Sequence, residues 1–375
     1  MFRFGIEHEV ALLRADGRFV DWTTTSFEEL DAIVRQLPRY ESDYPMLRIG
    51  DLGIKEKRWY IEGYERYDDC GRYLETVPKG IEIRTTIGSS IGATIDELSQ
   101  SFAALRDRAV AAGFEPVWIA LNPVQERFVP NPPLRPWEEA RRASSPEKRT
   151  AEIPMLTYGP DLNLSIDGMS PEASIDAAMK LTYYSPYLIP FSFSSPFFGG
   201  ERWRGYSKRT ELRTGIRPAA LVFLADRSKL IASSPSLTKP ARLPAEDGRI
   251  EFKAFDSLAD FALYGSLLAL LKGLLLDDTL AGRALVPDRA LHQRAARYGF
   301  DDDDIFFGAL AVLTAAERAL AFDPDQPRLN RLFALIEQRR TPAHWLIDLF
   351  ERAGALEPVL RGSYQRFGAL VEPPV

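Results

Sequence analysis

Cysteine is almost absent from this chain: Cys70 is the only one in 375 residues. An internal disulfide framework is thereby excluded, and the composition suits a reducing compartment. Cys70 lies in the polar, turn-like stretch Tyr67-Asp68-Asp69-Cys70-Gly71, with no neighbouring base to generate a nucleophilic thiolate. Histidine is nearly as scarce, and His8, His292 and His344 are far apart. The longest apolar run, Ala262–Leu276, is too short for a membrane span and carries Lys272, so it reads as a buried helix. No basic-then-apolar leader is visible, which makes the cytoplasm the expected location. A net charge of -6 argues against a general nucleic-acid binder but allows a local basic pocket. Hydrophobic content of 45% suffices for a sizeable core.

The pattern along the chain predicts an α+β fold with an antiparallel-dominated sheet. Residues 1–14, 58–62, 72–77, 80–86, 117–121, 162–166 and 248–256 read as strands. Helices are expected at 26–37, 95–112 and 170–181, the first capped by Ser26 and the last opened by Ser170 and Pro171. Residues 122–136 hold five prolines and read as a structured loop. From Ser257 onwards the periodicity is helical: 259–276, 287–298, 304–321, 327–340 and 343–354. The expected division is a sheet domain over 1–256 and a helical region over 257–375 that packs on it without its own core. Asp301–Asp304 stand directly before a helical pattern, where acids cap the helix and complement its dipole.

The chemistry-bearing residues are carboxylates on strands. Glu7 and Glu9 stand two apart in Phe4-Gly5-Ile6-Glu7-His8-Glu9-Val10, so they project from one face of a strand as like charges. Glu75, Glu82 and Glu251 occupy similar alternating positions. Two readings are open at this point. One face of an antiparallel sheet is often solvated, and glutamates there need no purpose. Alternatively the strands bring these acids together around a hard cation such as Mg²⁺ or Mn²⁺, for which oxygen ligands are suited. Basic residues cluster in Tyr206-Ser207-Lys208-Arg209-Thr210-Glu211-Leu212-Arg213 and at Arg217, a solvated loop or half of a phosphate site. Lys253 shares a strand face with Glu251. The aromatic stretch Tyr183, Tyr184, Tyr187, Phe197 and Phe198 is either core or pocket wall.

Three motifs in this order resemble the type-2 glutamate–cysteine ligases, carboxylate–amine ligases of glutamine synthetase-like fold. They are Gly5-Ile6-Glu7-His8-Glu9, Ser195-Pro196-Phe197 and Ile250-Glu251-Phe252-Lys253-Ala254-Phe255-Asp256-Ser257, and the resemblance spans about residues 1–275. It implies a curved antiparallel sheet that holds ATP and Mg²⁺ (or Mn²⁺), flanking helices and a helical C-terminal third. It also implies two-step amide formation through an acyl phosphate, from a small-molecule carboxylate such as glutamate and an amine. Glu7, Glu9, Glu82 and Glu251 match metal-holding positions, with Glu75 as a further candidate. Arg209 and Lys253 match catalytic cations. Arg84, Arg213 and Asn163 are the expected nucleotide- or substrate-binding residues.

The sequence departs from the resemblance where Asp161 and Asn163 replace a pair of histidines and where Lys253 replaces an arginine. Those departures leave two alternatives beside the ligase: a guanidino phosphotransferase on a related scaffold, or a silent Mg-ATP binder. A homo-oligomer is allowed, with no nucleic-acid or membrane partner expected.

Overall fold

A computed structural model describes residues 1–43 and 58–368. The end of the expected helical region, 369–375, lies outside the described residues. Ten strands are found among them: β1 (Phe2–Arg14), β2 (Trp59–Tyr67), β3 (Tyr73–Arg84), β4 (Phe114–Val117), β5 (Pro160–Ile166), β6 (Phe197–Phe198), β7 (Glu201–Arg202), β8 (Ala220–Leu224), β9 (Thr238–Pro240) and β10 (Ile250–Phe252). Eight form one sheet in the order β2-β3-β1-β5-β10-β8-β9, with β4 paired to the far half of β1. All pairings are antiparallel except β8 with β9. The architecture is the expected α+β fold with a curled open sheet and many helices.

Strand β1 organises the molecule. Phe4, Ile6, His8 and Val10 are buried on one face, while Gly5, Glu7 and Glu9 alternate onto the other. The helix Phe261–Leu276 is apolar on nearly every side and buried along most of its length, as the core helix of a large domain must be. It packs against the helices Ile91–Ala111 and Asp303–Ala319. Its one charge, Lys272, reaches Asp323 at 2.7 Å and Asp325 at 2.9 Å, which keeps the ammonium paired at the edge of the core. Asp302 caps the helix Asp303–Ala319 by accepting from Ile305 N, and Asp302 and Asp304 pair with Arg294. The acidic run is therefore a cap held by arginine.

Several boundaries differ from the sequence reading. The two strands expected at 72–77 and 80–86 are one strand, continuous through a bulge in which Lys79 is the extra residue opposite the Glu62/Gly63 step of β2. The strand expected at 117–121 is displaced: β4 covers Phe114–Val117 and shares only Val117 with it, and Leu121 makes an isolated bridge to Thr157. Residues 136–156, unassigned from sequence, hold three short helices. Lys208–Arg213, read as loop, is a helical turn capped by Ser207. Strands β8 and β9 had no alternation to announce them, since all five residues of β8 are buried.

His8 ties the sheet to the C-terminal helices. Its Nδ1 is 3.0 Å from the Tyr264 hydroxyl and its Nε2 2.9 Å from that of Tyr364, with Phe102 and Phe261 edge-on around it. Burial lowers the His8 pKa to about 3 and that of His292 to about 4, from an ordinary 6.5. Below pH 6.5 the unfolded chain binds protons that the native chain refuses, so these groups make stability fall as pH falls, by about 1.4 kcal/mol per pH unit each. His8→Gln offers a donor and an acceptor to the two tyrosines but does not titrate. Urea unfolding between about pH 6 and 4 is expected to show a slope shallower by about 1.4 kcal/mol per pH unit in this variant. An unchanged slope would show that His8 is charged in the native state.

Candidate active site

Glu7 and Glu9 part company as soon as they leave β1. Register places Glu7 between Arg84 of β3 and Asp161 of β5, and Glu9 opposite Glu82 of β3. Two carboxylate triads result, each with ligand atoms within 4.8 Å of one another: Glu7, Asp161 and Glu251, and Glu9, Glu62 and Glu82. Glu7, Asp161, Glu9, Glu62 and Glu82 line one cleft, together with Tyr60, Arg209, Arg213, Arg217 and Lys253, and Glu251 joins it through the first triad.

Cations hold the first triad. Lys253 Nζ bonds to Asp161 Oδ2 and lies 2.7 Å from Glu251 Oε1. Arg249 Nη1 lies 3.2 Å from Glu7 Oε1 and 3.0 Å from Glu251 Oε2, and donates to Asn163 Oδ1 at 3.0 Å. Burial opposes the charge on Glu251, yet Lys253 and Arg249 hold its pKa down at about 2. Burial is also the main influence on Asp161, raising it against the pull of Lys253.

In the second triad, Lys79 reaches Glu9 Oε1 at 2.7 Å, and its other bonds go to the carbonyls of Pro154 and Thr157. The other oxygen of Glu9 accepts from Gly159 N at 2.8 Å. Burial, then the charges of Glu62, Glu7 and Glu9, drive the Glu82 carboxyl well above its usual range. A cluster of oxygen donors whose mutual repulsion disfavours the charge on one of them fits a hard divalent cation, which would offset that repulsion.

The opposite wall is built from arginines. Arg209 Nη1 and Nη2 donate to the carbonyls of Ala254 and Lys253, and Nη1 lies 3.5 Å from Asp256 Oδ1. Asp256 also accepts from Ser195 Oγ and Ser207 Oγ, which pins the short helix Lys208–Arg213 in place. Arg213 Nη2 donates to Lys253 O at 3.1 Å, and Arg217 Nη1 to Glu147 O at 2.8 Å. Burial, then the like charges of Arg209 and Arg217, press the Arg213 pKa well below its usual value. The Nε atoms of Arg209 and Arg217 are buried without a hydrogen-bond partner among the described residues. Three crowded guanidinium groups with unspent donors suit an anion with several oxygens. Gly159 makes the crowding feasible: a Cβ there would stand 2.1 Å from Arg209 Nη2.

Most residues singled out from sequence therefore meet. Glu7, Glu9, Glu82, Glu251, Arg209, Arg213 and Lys253 share the cleft or its triads, Asn163 bonds to Glu7, and Arg84 lies beside it with its guanidinium 4.7 Å above the Tyr60 ring. Glu75 does not belong with them. It is exposed opposite Arg66 near the hairpin end of β3, outside both triads. The aromatic stretch is not a wall of this cleft either: Phe197 packs on Phe350 in the core and Tyr183 is exposed. Sequence reasoning missed Glu62, Lys79 and Arg249. The alternation rule could have found Arg249, which stands two before Glu251, and Glu62 in Tyr60-Ile61-Glu62. Lys79 carried no such signal.

This sheet, with carboxylates and arginines facing each other across one cleft, is of the glutamine synthetase-like class. The profile of the glutamate-cysteine ligase family 2 matches residues 3–229, and the chain belongs to that family. A curated relative, "Putative glutamate–cysteine ligase 2-2" of Rhodococcus jostii (strain RHA1), is 25% identical over 260 residues, covering 62% of this chain and 66% of the relative. The chain is also similar to a bifunctional glutathione synthetase from Pasteurella multocida, with TM-score 0.58 and 13% identity, over 98% of this chain and 52% of that one. A glutamate–cysteine ligase from Francisella tularensis, solved in complex with AMP, gives TM-score 0.54 and 13% identity over 100% and 90%. The chain thus spans just under two thirds of the length of the Rhodococcus relative and about half that of the Pasteurella protein. No described helix is long and apolar enough to cross a membrane.

Because burial and the neighbouring acids shift the Glu82 carboxyl upward, Mn²⁺ binding that uses it as a ligand is expected to be accompanied by proton release and to weaken as pH falls. Titration calorimetry in buffers of different ionisation enthalpy reads the proton count directly. Binding without proton release would remove Glu82 from the ligand set.

Proposed function

We propose that this chain is an ATP-dependent carboxylate–amine ligase, with the γ-carboxyl of glutamate as the acid to test first. The observation that supports the reading best is the cleft itself: oxygen ligands for a hard cation on one side and buried arginines on the other. A triphosphate is the ligand that needs both. Membership of the family agrees with it, and the AMP bound to the Francisella structure points to a nucleotide on this scaffold.

The chemistry divides between the two walls. Glu9, Glu62 and Glu82 would hold Mg²⁺, which supplies charge neutralisation at the phosphate oxygens. Arg209 and Arg213 would stabilise the charge on the transferring phosphoryl group, a task for preorganised donors that need not reorient during reaction. Arg84, beside Asn163 and Glu7, would bind and orient the substrate carboxylate. A carboxylate oxygen then bonds to the γ-phosphorus while the bond to the bridging oxygen breaks and ADP leaves. The amine nitrogen next bonds to the acyl carbon, the carbon–oxygen bond to phosphate breaks, and the amine loses a proton as the amide forms.

Phosphate release from Mg-ATP should therefore require both an acid and an amine, and mass spectrometry should find a new amide. A phosphorylated guanidine without an amide would identify a phosphotransferase instead, and no turnover with any mixture would sink the ligase reading. Arg213→Met is expected to lower kcat/KM by about 10²-fold, as loss of a charge-stabilising donor does. Gly159→Ala should act similarly without removing a charge, because its methyl group displaces the Arg209 guanidinium. Wild-type rates in both variants would overturn the placement of phosphate against these arginines.

A further inference from the structure

Cations of the chain itself already fill one of the two triads. In the first, every carboxylate is bound by a cation of the chain itself: Asp161 by Lys253, Glu251 by both Lys253 and Arg249, and Glu7 by Arg249. Lys253 Nζ contacts two of the three acids, the bridging arrangement a metal ion would adopt. Asn163 completes the enclosure, donating to Glu7 Oε1 at 3.4 Å while its oxygen accepts from Arg249. The guanidinium of Arg249 is itself braced, stacked 4.1 Å from the Phe223 ring centre and 3.3 Å from Glu246 Oε1. In the second triad, Lys79 reaches Glu9 from the side and spends its remaining bonds on the Pro154 and Thr157 carbonyls.

We infer that Lys253 is a built-in substitute for a divalent cation: its ammonium occupies the Glu7/Asp161/Glu251 triad, and only Glu9/Glu62/Glu82 takes a metal ion. An ammonium and a divalent ion cannot share one set of oxygens at bonding distance, since like charges a few ångströms apart repel strongly in a site sheltered from water. A metal ion entering the first triad would have to expel Lys253 into the cleft beside Arg209 and Arg213, where cations are already crowded. The consequence is a metal requirement of one ion per chain before nucleotide arrives, with the other positive charge supplied covalently and independent of Mg²⁺ concentration. This inference rests on the metal-assisted reading above and deepens it.

The test counts ions. Mn²⁺ alone is titrated into the full chain and followed by electron paramagnetic resonance and calorimetry. One Mn²⁺ per chain is expected for the wild type, and two for Lys253→Met, which empties the first triad of its ammonium. Glu82→Gln should weaken the wild-type site by at least tenfold, whereas Asp161→Asn should leave it in place. These last two variants decide the matter even if Lys253→Met does not fold. Two comparable sites in the wild type, or loss of the single site in Asp161→Asn, would overturn the role given to Lys253 while leaving metal-assisted chemistry intact. A folded Lys253→Met that still binds one ion would do the same. No Mn²⁺ binding at all would overturn both this inference and the metal reading on which it rests.

Discussion

Repulsion between like charges on a single strand is the constraint around which this protein is built. Glu7 and Glu9 leave β1 on the same face, and neither is stable there without a partner. The fold answers by giving each a different counterion from a different part of the chain: Arg249 for Glu7, Lys79 and the Gly159 amide for Glu9. That division turns one acidic stripe into two separate triads with different fillings. The residue between them serves the opposite purpose, since His8 points away into a cage of aromatic side chains. Three consecutive residues thus carry charge, structural anchorage and charge, and the pleat alone sorts them.

The arginine wall depends on a second buried carboxylate. Asp256 is enclosed, and Ser194, Ser195, Ser207 and Arg209 all direct donors or charge at it. A buried acid with that many partners acts as a fixed post. It joins the segment after β10 to the turn before the helix Lys208–Arg213, so residues more than forty apart in sequence present their cations as one surface. Arg209 can lie so close to the backbone only because position 159 has no side chain.

What was legible in the sequence was whatever alternates. The strands bearing Glu7, Glu9, Glu82 and Asn163 announce themselves by a two-residue period, and the family motifs fall on them. The same rule misled at Glu75, because alternation reports which face a residue takes but not how far along the strand it lies. Glu75 sits seven residues from Glu82, toward the turn of the hairpin. Buried strands such as β8 have no polar face to alternate with. Lys79 was invisible for a related reason: its value comes from Glu9, Pro154 and Thr157, three places joined only by the fold. The helical turn at Lys208–Arg213 is too short to show a period and is held by its Ser207 cap and the Asp256 network.

The bond between His8 and Tyr364 spans 356 residues. During synthesis at about 5–20 residues per second, the strand that carries Glu7 and Glu9 would wait roughly 20–70 s for that partner. Until then the imidazole of His8 lacks one of its two hydroxyl partners and one ring of its aromatic cage. The strand that carries the acidic pair thus receives its last anchor from a residue that lines no part of the cleft.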